Sequence, residues 1–298
     1  MIPLLRPPLV RLGNLFPGRE VYAKCEFLAP GGSFKIRGAV HLLERLRREG
    51  GPRQLVVPSM GNTALGAAVG CRAFGCTMVG VVPDTIGRAK DEKLRALGVE
   101  LVKIPAGGGG DLLRTATRLA AERGGYFVHP HLDPLWTDGY RALAAEIVEE
   151  LPGCRSLIFP LGGGGLLMGL TEYFRGHPAP VRLVACEAHN YPTYAPFDHA
   201  RSATIADGLV LDEPHPAVQE RIAADGMAVR LVSEAAIRAA MAGLYRRQAL
   251  AVEPSSAITV AFVQAGGEAL EEPVCVVLTG QNIAPEDFAR LVGEGPPP

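Results

Sequence analysis

GGSFKIRGA, residues 31–39, places a lysine at the start of a helix, directly behind two glycines and a serine. A solvated helix face is the ordinary place for a lysine. A desolvated one is a nucleophile or base. Residues 36, 39, 40, 42, 43 and 46 of FKIRGAVHLLERLRREG (34–50) form an apolar helical stripe with the charges opposite. Strand-length VYAKCEF (21–27) lies ahead of it, and LVVP (55–58) reads as the next strand.

The same rhythm continues outward. Helix 62–75, strand TMVGVVP (77–83), helix DEKLRALG (91–98), strand ELVKIP (100–105), a helix within 107–125 and strand YFVHP (126–130) make one series. Helix DGYRALAAEIVEELPG (138–153), strand SLIFP (156–160), helix 166–176, strand VRLVACE (181–187), helices 233–250 and 255–267 and strand VCVVLTG (274–280) make a second. Strands alternating with helices predict parallel sheets covered on both faces, here an α/β fold of two lobes. Ligand sites in such folds lie beyond the carboxyl ends of the strands. The tail GEGPPP is expected to fray.

Composition narrows the function classes. The 298 residues carry a net charge of −1 with no basic block, and aromatics make up only 6%. Both facts argue against a nucleic-acid partner. No apolar run approaches the ~18 residues of a membrane span. The opening MIPLLRPPLVRLG is broken by prolines and lacks the pattern of a signal peptide. The six cysteines are scattered, without a C-x-x-C, and read as reduced thiols of a cytoplasmic protein with no metal site.

Four loops at predicted strand ends hold the chemistry. In PLGGGGLLMG (160–169) a glycine run opens a helix, and its backbone amides suit an anion such as phosphate. Neither G-x-G-x-x-G nor a P-loop G-K-[ST] can be registered on it, and a tight packing turn is the other reading. SMGNTALG (59–66) sets Ser59 and Asn62 at a helix start, as caps or as ligand contacts. VLTGQN (277–282) brings out the hydroxyl of Thr279, as a strand residue or a ligand contact. GGGGDL (107–112) reads as a flexible loop.

GSFKIRGA, S-x-G-N-x-x-x-G, GGGGL and T-G-x-N in this order resemble the pyridoxal-phosphate enzymes of fold type II, the tryptophan synthase β-like group. The resemblance runs from PLVRL (8–12) to TGQNIA (279–284). SFKIRGA (33–39), HPHLDP (129–134), TIADGL (204–209) and VEPSSA (252–257) are most similar to threonine/serine dehydratases and serine racemases.

The resemblance implies pyridoxal 5'-phosphate held between two lobes. Residues 1–40 and 138–298 would form a large cofactor-binding domain and 41–137 a small substrate-side domain. Lys35 would be the Schiff-base lysine and the base at the substrate Cα. Phe34 would pack on the ring, Asn62 would bond its 3′ oxygen, and Gly162, Gly163, Gly164 and Gly165 would hold the phosphate. Thr279 would meet the pyridine nitrogen. Ser59, with Met60, Gly61, Asn62 and Thr63, would hold the substrate carboxylate. A hydroxyl at the nitrogen, unlike a carboxylate, does not keep it protonated, which favours prompt β-elimination over transamination. The resemblance also implies a homodimer.

Some residues depart from the dehydratase pattern. PGGS (30–33), GNT (61–63) and Thr279 resemble cysteine or threonine synthases, and DGYRA (138–142) replaces a usual GQGT. Met60 stands where serine racemases carry a second base, and a thioether cannot shuttle a proton. Glu187 matches the first carboxylate of a racemase-type cation site, but Thr193 replaces an expected aspartate. The expectation is an ammonia-lyase acting on L-threonine or L-serine. The alternatives are a β- or γ-replacement synthase, for which Arg88, Lys90 and Arg141 could read a phosphorylated substrate, and a non-catalytic scaffold, against which an intact Lys35 argues.

Overall fold

A computed structural model describes residues 6–106, 109–178, 180–266 and 269–293. The described residues form ten strands and eleven α-helices. In chain order they are β1 (Leu9–Arg11), β2 (Val21–Lys24), α1 (Lys35–Glu49), β3 (Gln54–Val57), α2 (Asn62–Phe74), β4 (Thr77–Pro83), α3 (Arg88–Ala96) and β5 (Glu100–Ile104). Next come α4 (Gly109–Arg123), β6 (Tyr126–Phe127), α5 (Pro134–Asp138), α6 (Arg141–Glu150), β7 (Ser156–Pro160), α7 (Gly165–Phe174) and β8 (Arg182–Ala188). The chain closes with α8 (Pro216–Ala224), β9 (Ala228–Val232), α9 (Glu234–Gln248), α10 (Pro254–Ala265), β10 (Val274–Val277) and α11 (Pro285–Gly293). Residues 107 and 108 of the expected flexible loop, and the tail beyond 293, lie outside the described residues.

The expected mixed α/β architecture is present as two compact units. One is Ala29–Tyr140, and the other joins Arg6–Leu28 to the chain from Arg141 onward. The smaller unit holds a four-stranded sheet in the order β5-β4-β3-β6, with every neighbouring pair parallel. Its buried runs are apolar on both faces, as parallel strands require. Val56, Val79 and Val81 pack on Ala116, Leu119 and Ala120 of α4. On α2, a Cβ at Gly66 would lie 2.9 Å from the carbonyl carbon of Lys35. Glycine is required at this position for α2 to approach the first turn of α1.

The larger unit holds a six-stranded sheet in the order β1-β2-β10-β7-β8-β9. It is parallel except at one edge, where β1 runs antiparallel to β2. Its core joins β2, β8 and β10 to α9 and α10 through residues such as Val276, Met241 and Ile258. Lys24 ends β2 wholly buried, held by Glu146 at 2.9 Å and Glu150 at 3.0 Å, one turn apart on α6.

The units divide the chain at 28/29 and 140/141, whereas the sequence suggested 40/41 and 137/138. Packing moves both boundaries. The first turn of α1 is pressed on Gly66 of α2, and the Phe34 ring lies 4.8 Å from that of Tyr140. Residues 29–40 and 138–140 therefore stay with the smaller unit. The helix read over 138–153 starts later, at Arg141, and the short α5 that ends at Asp138 ahead of it was not anticipated. Strands β1 and β9 and helices α8 and α11 were not anticipated. They are short, so their periodic signal is weak.

All six cysteines are free and all but Cys76 are buried. Burial pushes Cys25 and Cys71 up to about 12 and Cys154 up to about 11, so these thiols stay protonated and inert. No helix among the described residues is long and apolar enough to cross a membrane.

Candidate active site

Lys35 is the first residue of α1. Phe34 occupies the cap position in a helical conformation, and no side chain caps the amides. The lysine is half-buried, and its amine has no hydrogen-bond or ion-pair partner among the described residues. Its neighbours are rings: Nζ lies 4.9 Å from the centroid of Phe34 and 5.9 Å from that of Tyr140. Tyr140 is wholly buried and its hydroxyl accepts the Trp136 indole N–H at 2.6 Å. Desolvation lowers the Lys35 amine from 10.5 to about 8, so that a minor but reactive fraction is neutral near physiological pH. Lys24, by contrast, is clasped by two glutamates.

The carboxyl end of β3 supplies the next part. Ser59 and Asn62 were both possible caps, yet the cap residue of α2 is Gly61 and no side chain caps this helix. Ser59 Oγ instead accepts the Gly61 N–H at 3.2 Å. A Cβ at Gly61 would meet nothing within 4 Å, so space is open beside it. Asn62 is the first residue of α2, and Thr63 Oγ1 donates to the carbonyl of Pro130 at 3.3 Å. The carboxyl end of β6 is thereby tied to this loop. There His129 Nδ1 accepts the amides of His131 and Leu132 at 3.3 and 3.1 Å. Met60 is 38% exposed.

In the larger unit, the fully buried β7 runs into Leu161, Gly162, Gly163 and Gly164, and α7 begins at Gly165. Gly164 has φ 86°, and a Cβ there would sit 2.3 Å from Cγ2 of Val218. No side chain caps α7. A Cβ at Gly162 would lie 3.1 Å from the Cα of Leu209. A side chain is excluded at Gly164, and the uncapped helix start that follows is of the kind that suits an anion.

At the end of β10, Thr279 is 4% exposed and its Oγ1 lies 3.1 Å from Ser256 Oγ. Ser256 also accepts the Gly280 N–H at 2.6 Å and donates to the Gly280 carbonyl at 2.8 Å. A cavity of about 390 Å³ in this unit includes Arg182 and Ala228, the first residues of β8 and β9. It therefore lies at the amino ends of the strands, away from these groups.

Glu187 is 2% exposed and serves the backbone. Its carboxylate accepts the amides of Thr193, Tyr194 and Ala195 at 2.9–3.2 Å. Burial raises its pKa while the three amides pull it down. Thr193 Oγ1 donates to the Leu211 carbonyl at 2.9 Å. Arg88 pairs with Glu92 one turn on, both well exposed, as on an ordinary solvated face.

These features fit pyridoxal phosphate: an unpaired, partly desolvated amine, an uncapped helix start behind glycines, and a buried hydroxyl at a strand end. Two buried hydroxyls, Ser33 Oγ and Ser255 Oγ, find no protein partner, one beside Lys35 in sequence and the other 2.9 Å from where a Gly208 Cβ would stand. Sequence reading missed Tyr140, which lay in the flagged DGYRA segment, and Ser256, which lay in the VEPSSA landmark without a role.

Comparison with known proteins agrees. Over 285 residues the chain is 29% identical to an L-threonine ammonia-lyase of Thermotoga maritima, covering 93% of this chain and 71% of that protein. It is 28% identical over 291 residues to a serine racemase of Bos taurus, covering 91% and 85%. Among solved structures, a serine racemase from maize superimposes with a TM-score of 0.82 at 26% identity, covering 96% and 91%. The family model described as pyridoxal-phosphate dependent enzyme matches residues 3–280, nearly the whole chain, and the protein belongs to that family.

Proposed function

We propose that this protein is a pyridoxal-phosphate-dependent ammonia-lyase that converts L-threonine or L-serine to the 2-oxo acid and ammonia. The observation that carries the proposal is the Lys35 amine, half-buried against rings, without an anionic partner, and lowered to about 8. A lysine in that state can attack a carbonyl carbon and can later accept a proton. When bound, the cofactor supplies the electron sink that makes loss of the Cα proton feasible.

The chain's own residues divide the remaining work. Lys35 would hold the cofactor through its amine and would take the Cα proton of the substrate. Phe34 gives the ring an apolar face, and Asn62 offers its amide to the 3′ oxygen. The amides of Gly162, Gly163, Gly164 and Gly165 receive the phosphate. Ser59, Gly61 and Thr63 at the uncapped start of α2 orient the substrate carboxylate, with Met60 beside it. Thr279 meets the ring nitrogen through a hydroxyl, and a hydroxyl supports elimination over transamination because it leaves the sink weaker. Met60 can neither take nor give a proton, so racemisation should be slow. The same proposal takes the protein as a cytoplasmic homodimer in which the smaller unit supplies Lys35, Phe34, Asn62 and the substrate-carboxylate residues, and the larger unit supplies the phosphate glycines and Thr279.

The test is to incubate the loaded enzyme with L-threonine and L-serine and to measure 2-oxo acid, ammonia and the chirality of unreacted serine. Release of 2-oxo acid and ammonia in equal amounts is expected. Rapid formation of D-serine, or a coloured species that persists until a second nucleophile is added, would point to a racemase or a replacement synthase instead.

A further inference from the structure

Helix α1 packs on both α2 and α5. On the α5 side the approach is close. A Cβ at Gly38 would lie 2.3 Å from Cδ1 and Nε1 of the Trp136 indole, and one at Gly139 would lie 2.6 Å from the Arg37 carbonyl oxygen. Two bare glycines thus let α5 and the turn behind it press on the start of α1. Asp133 caps α5 by accepting the Trp136 amide at 3.0 Å, and the indole N–H of Trp136 reaches the Tyr140 hydroxyl at 2.6 Å. Tyr140 is wholly buried, and its ring is tilted by 47° to that of Phe34 at 4.8 Å.

The two rings form a seat for the Lys35 amine, with Nζ 4.9 Å from the centroid of Phe34 and 5.9 Å from that of Tyr140. Rings act on an ammonium in opposed ways. Their faces attract the cation, and their bulk takes the place of water that would solvate it. Lys35 lies at about 8 rather than 10.5 with desolvation as the cause, so the loss of water outweighs the attraction. Burial holds the Tyr140 phenol protonated, so it puts no charge beside the amine. The ionisable side chains on the packed elements are Arg37 and His41 on α1, Asp133 and Asp138 on α5, and Cys71 and the exposed Arg72 on α2. His41 pairs with Asp138 at 3.1 Å, Asp133 serves Trp136, and burial keeps Cys71 protonated. His129 and His131 lie on the loop that Thr63 ties to α2.

We propose that Tyr140 is a positioning residue: its ring, pinned by Trp136, closes one side of a seat that keeps water from the Lys35 amine and holds that amine ready to bond the cofactor and to take the substrate proton. This rests on the reading of Lys35 as the cofactor lysine, and it deepens that reading by naming what keeps the amine reactive.

The experiment mixes the cofactor-free full chain with pyridoxal phosphate and follows its bonding to Lys35 by visible absorption at about pH 7 and about pH 10. In that step the lone pair of the neutral amine bonds the aldehyde carbon, and the aldehyde oxygen leaves as water with two amine protons. Tyr140→Ala admits water to the amine. It should slow the step about tenfold at neutral pH but less than about twofold at alkaline pH, where the amine is neutral in both proteins. Tyr140→Phe, which keeps the ring, should restore the rate at neutral pH. If Tyr140→Ala does not fold, Tyr140→Gln keeps an acceptor for the indole N–H, replaces the ring with a polar amide and carries the same comparison. A loss of equal size at both pH values would mark a packing role alone, and no loss at neutral pH would mark no role. Either result overturns the proposal, as does a Tyr140→Phe rate as low as that of Tyr140→Ala. Lys35→Ala separates the two layers. If it still bonds the cofactor with the same absorption, Lys35 is not the cofactor lysine, whereas loss of bonding there with unchanged kinetics in Tyr140→Ala removes only the role of Tyr140.

Discussion

Helices α1 and α9 are both fifteen residues long and begin in opposite ways. Ser233 precedes α9 in an extended conformation and accepts the Ala236 N–H at 3.3 Å, with Glu234 in the first turn. Both features stabilise a helix start. Helix α1 has no side-chain cap and no acid in its first turn, and its first residue is a lysine. A cation there opposes the helix dipole. At the other ends the pattern reverses. Helix α1 stops at Gly50 with φ 65°, where glycine is unstrained, while α9 stops at Ala249 with φ 55°, at a cost of about 1 kcal/mol. Each helix therefore gives up stability at one end. In α9 nothing else distinguishes that end, but in α1 it is the end that carries the reactive amine.

The contrast can be broken most directly at Lys35. Lys35→Ala should lower turnover by at least about 10³-fold, the scale of a lost general base, while circular dichroism and thermal melting stay close to wild type. Activity retained within about tenfold would make the start of α1 as ordinary as that of α9. The glycine-led start of α7 belongs with α1 in this comparison. Gly164→Ala places a Cβ 2.3 Å from Val218 on a backbone at φ 86°. It should cost about 3 kcal/mol in urea unfolding and weaken cofactor uptake.

The cost of an unpaired lysine can be read from pH. Lys35 falls from 10.5 to about 8 on folding. Between those values the unfolded chain binds a proton that the folded chain has lost. The contribution of Lys35 to the stability of the cofactor-free protein should therefore rise as pH climbs through the window, and its deficit is complete below about 8. Solvent still reaches this side chain, so the deficit should be of the order of 1–2 kcal/mol. The buried thiols, which keep their protons above the unfolded value, pull stability the other way in both proteins, so urea melts at about pH 7 and about pH 10 should show the wild type gaining on Lys35→Met as pH rises. Equal pH dependence in the two proteins would remove the argument from desolvation. The smallest effect belongs to α9: Ser233→Ala should cost about 1 kcal/mol and leave turnover unchanged.

The stretch around Lys35 was readable in advance because two signals coincide there, a glycine-serine lead and a stripe of helical period. The β7–α7 and β10 loops were readable for a similar reason, since each follows a run of buried apolar residues. The unit boundaries were not readable. What moves residues 29–40 is the bare backbone of Gly66 meeting that of Lys35, a contact between positions thirty-one apart in sequence with no local signature. The short α5 escaped notice because only Gly139 and Tyr140 separate it from α6. Ser256 escaped because one serine among small residues at a helix start looks like any other, and its meaning lies in Gly280 and Thr279, reached only through the fold. Glu187 matched one carboxylate of a cation site in the sequence, and the three amides it receives come from a loop of irregular backbone that no periodicity describes.

Trp136 is the chain's only tryptophan. It is 1% exposed, and its indole is bonded to Tyr140, whose ring flanks the Lys35 amine. Every photon absorbed by indole in this protein is thus absorbed at one place, one ring away from the Lys35 amine. Its emission should be blue-shifted, as from a dry environment, and a coloured group bound at Lys35 would drain it by energy transfer. The unlabelled protein carries its own lamp for reading when the site is filled.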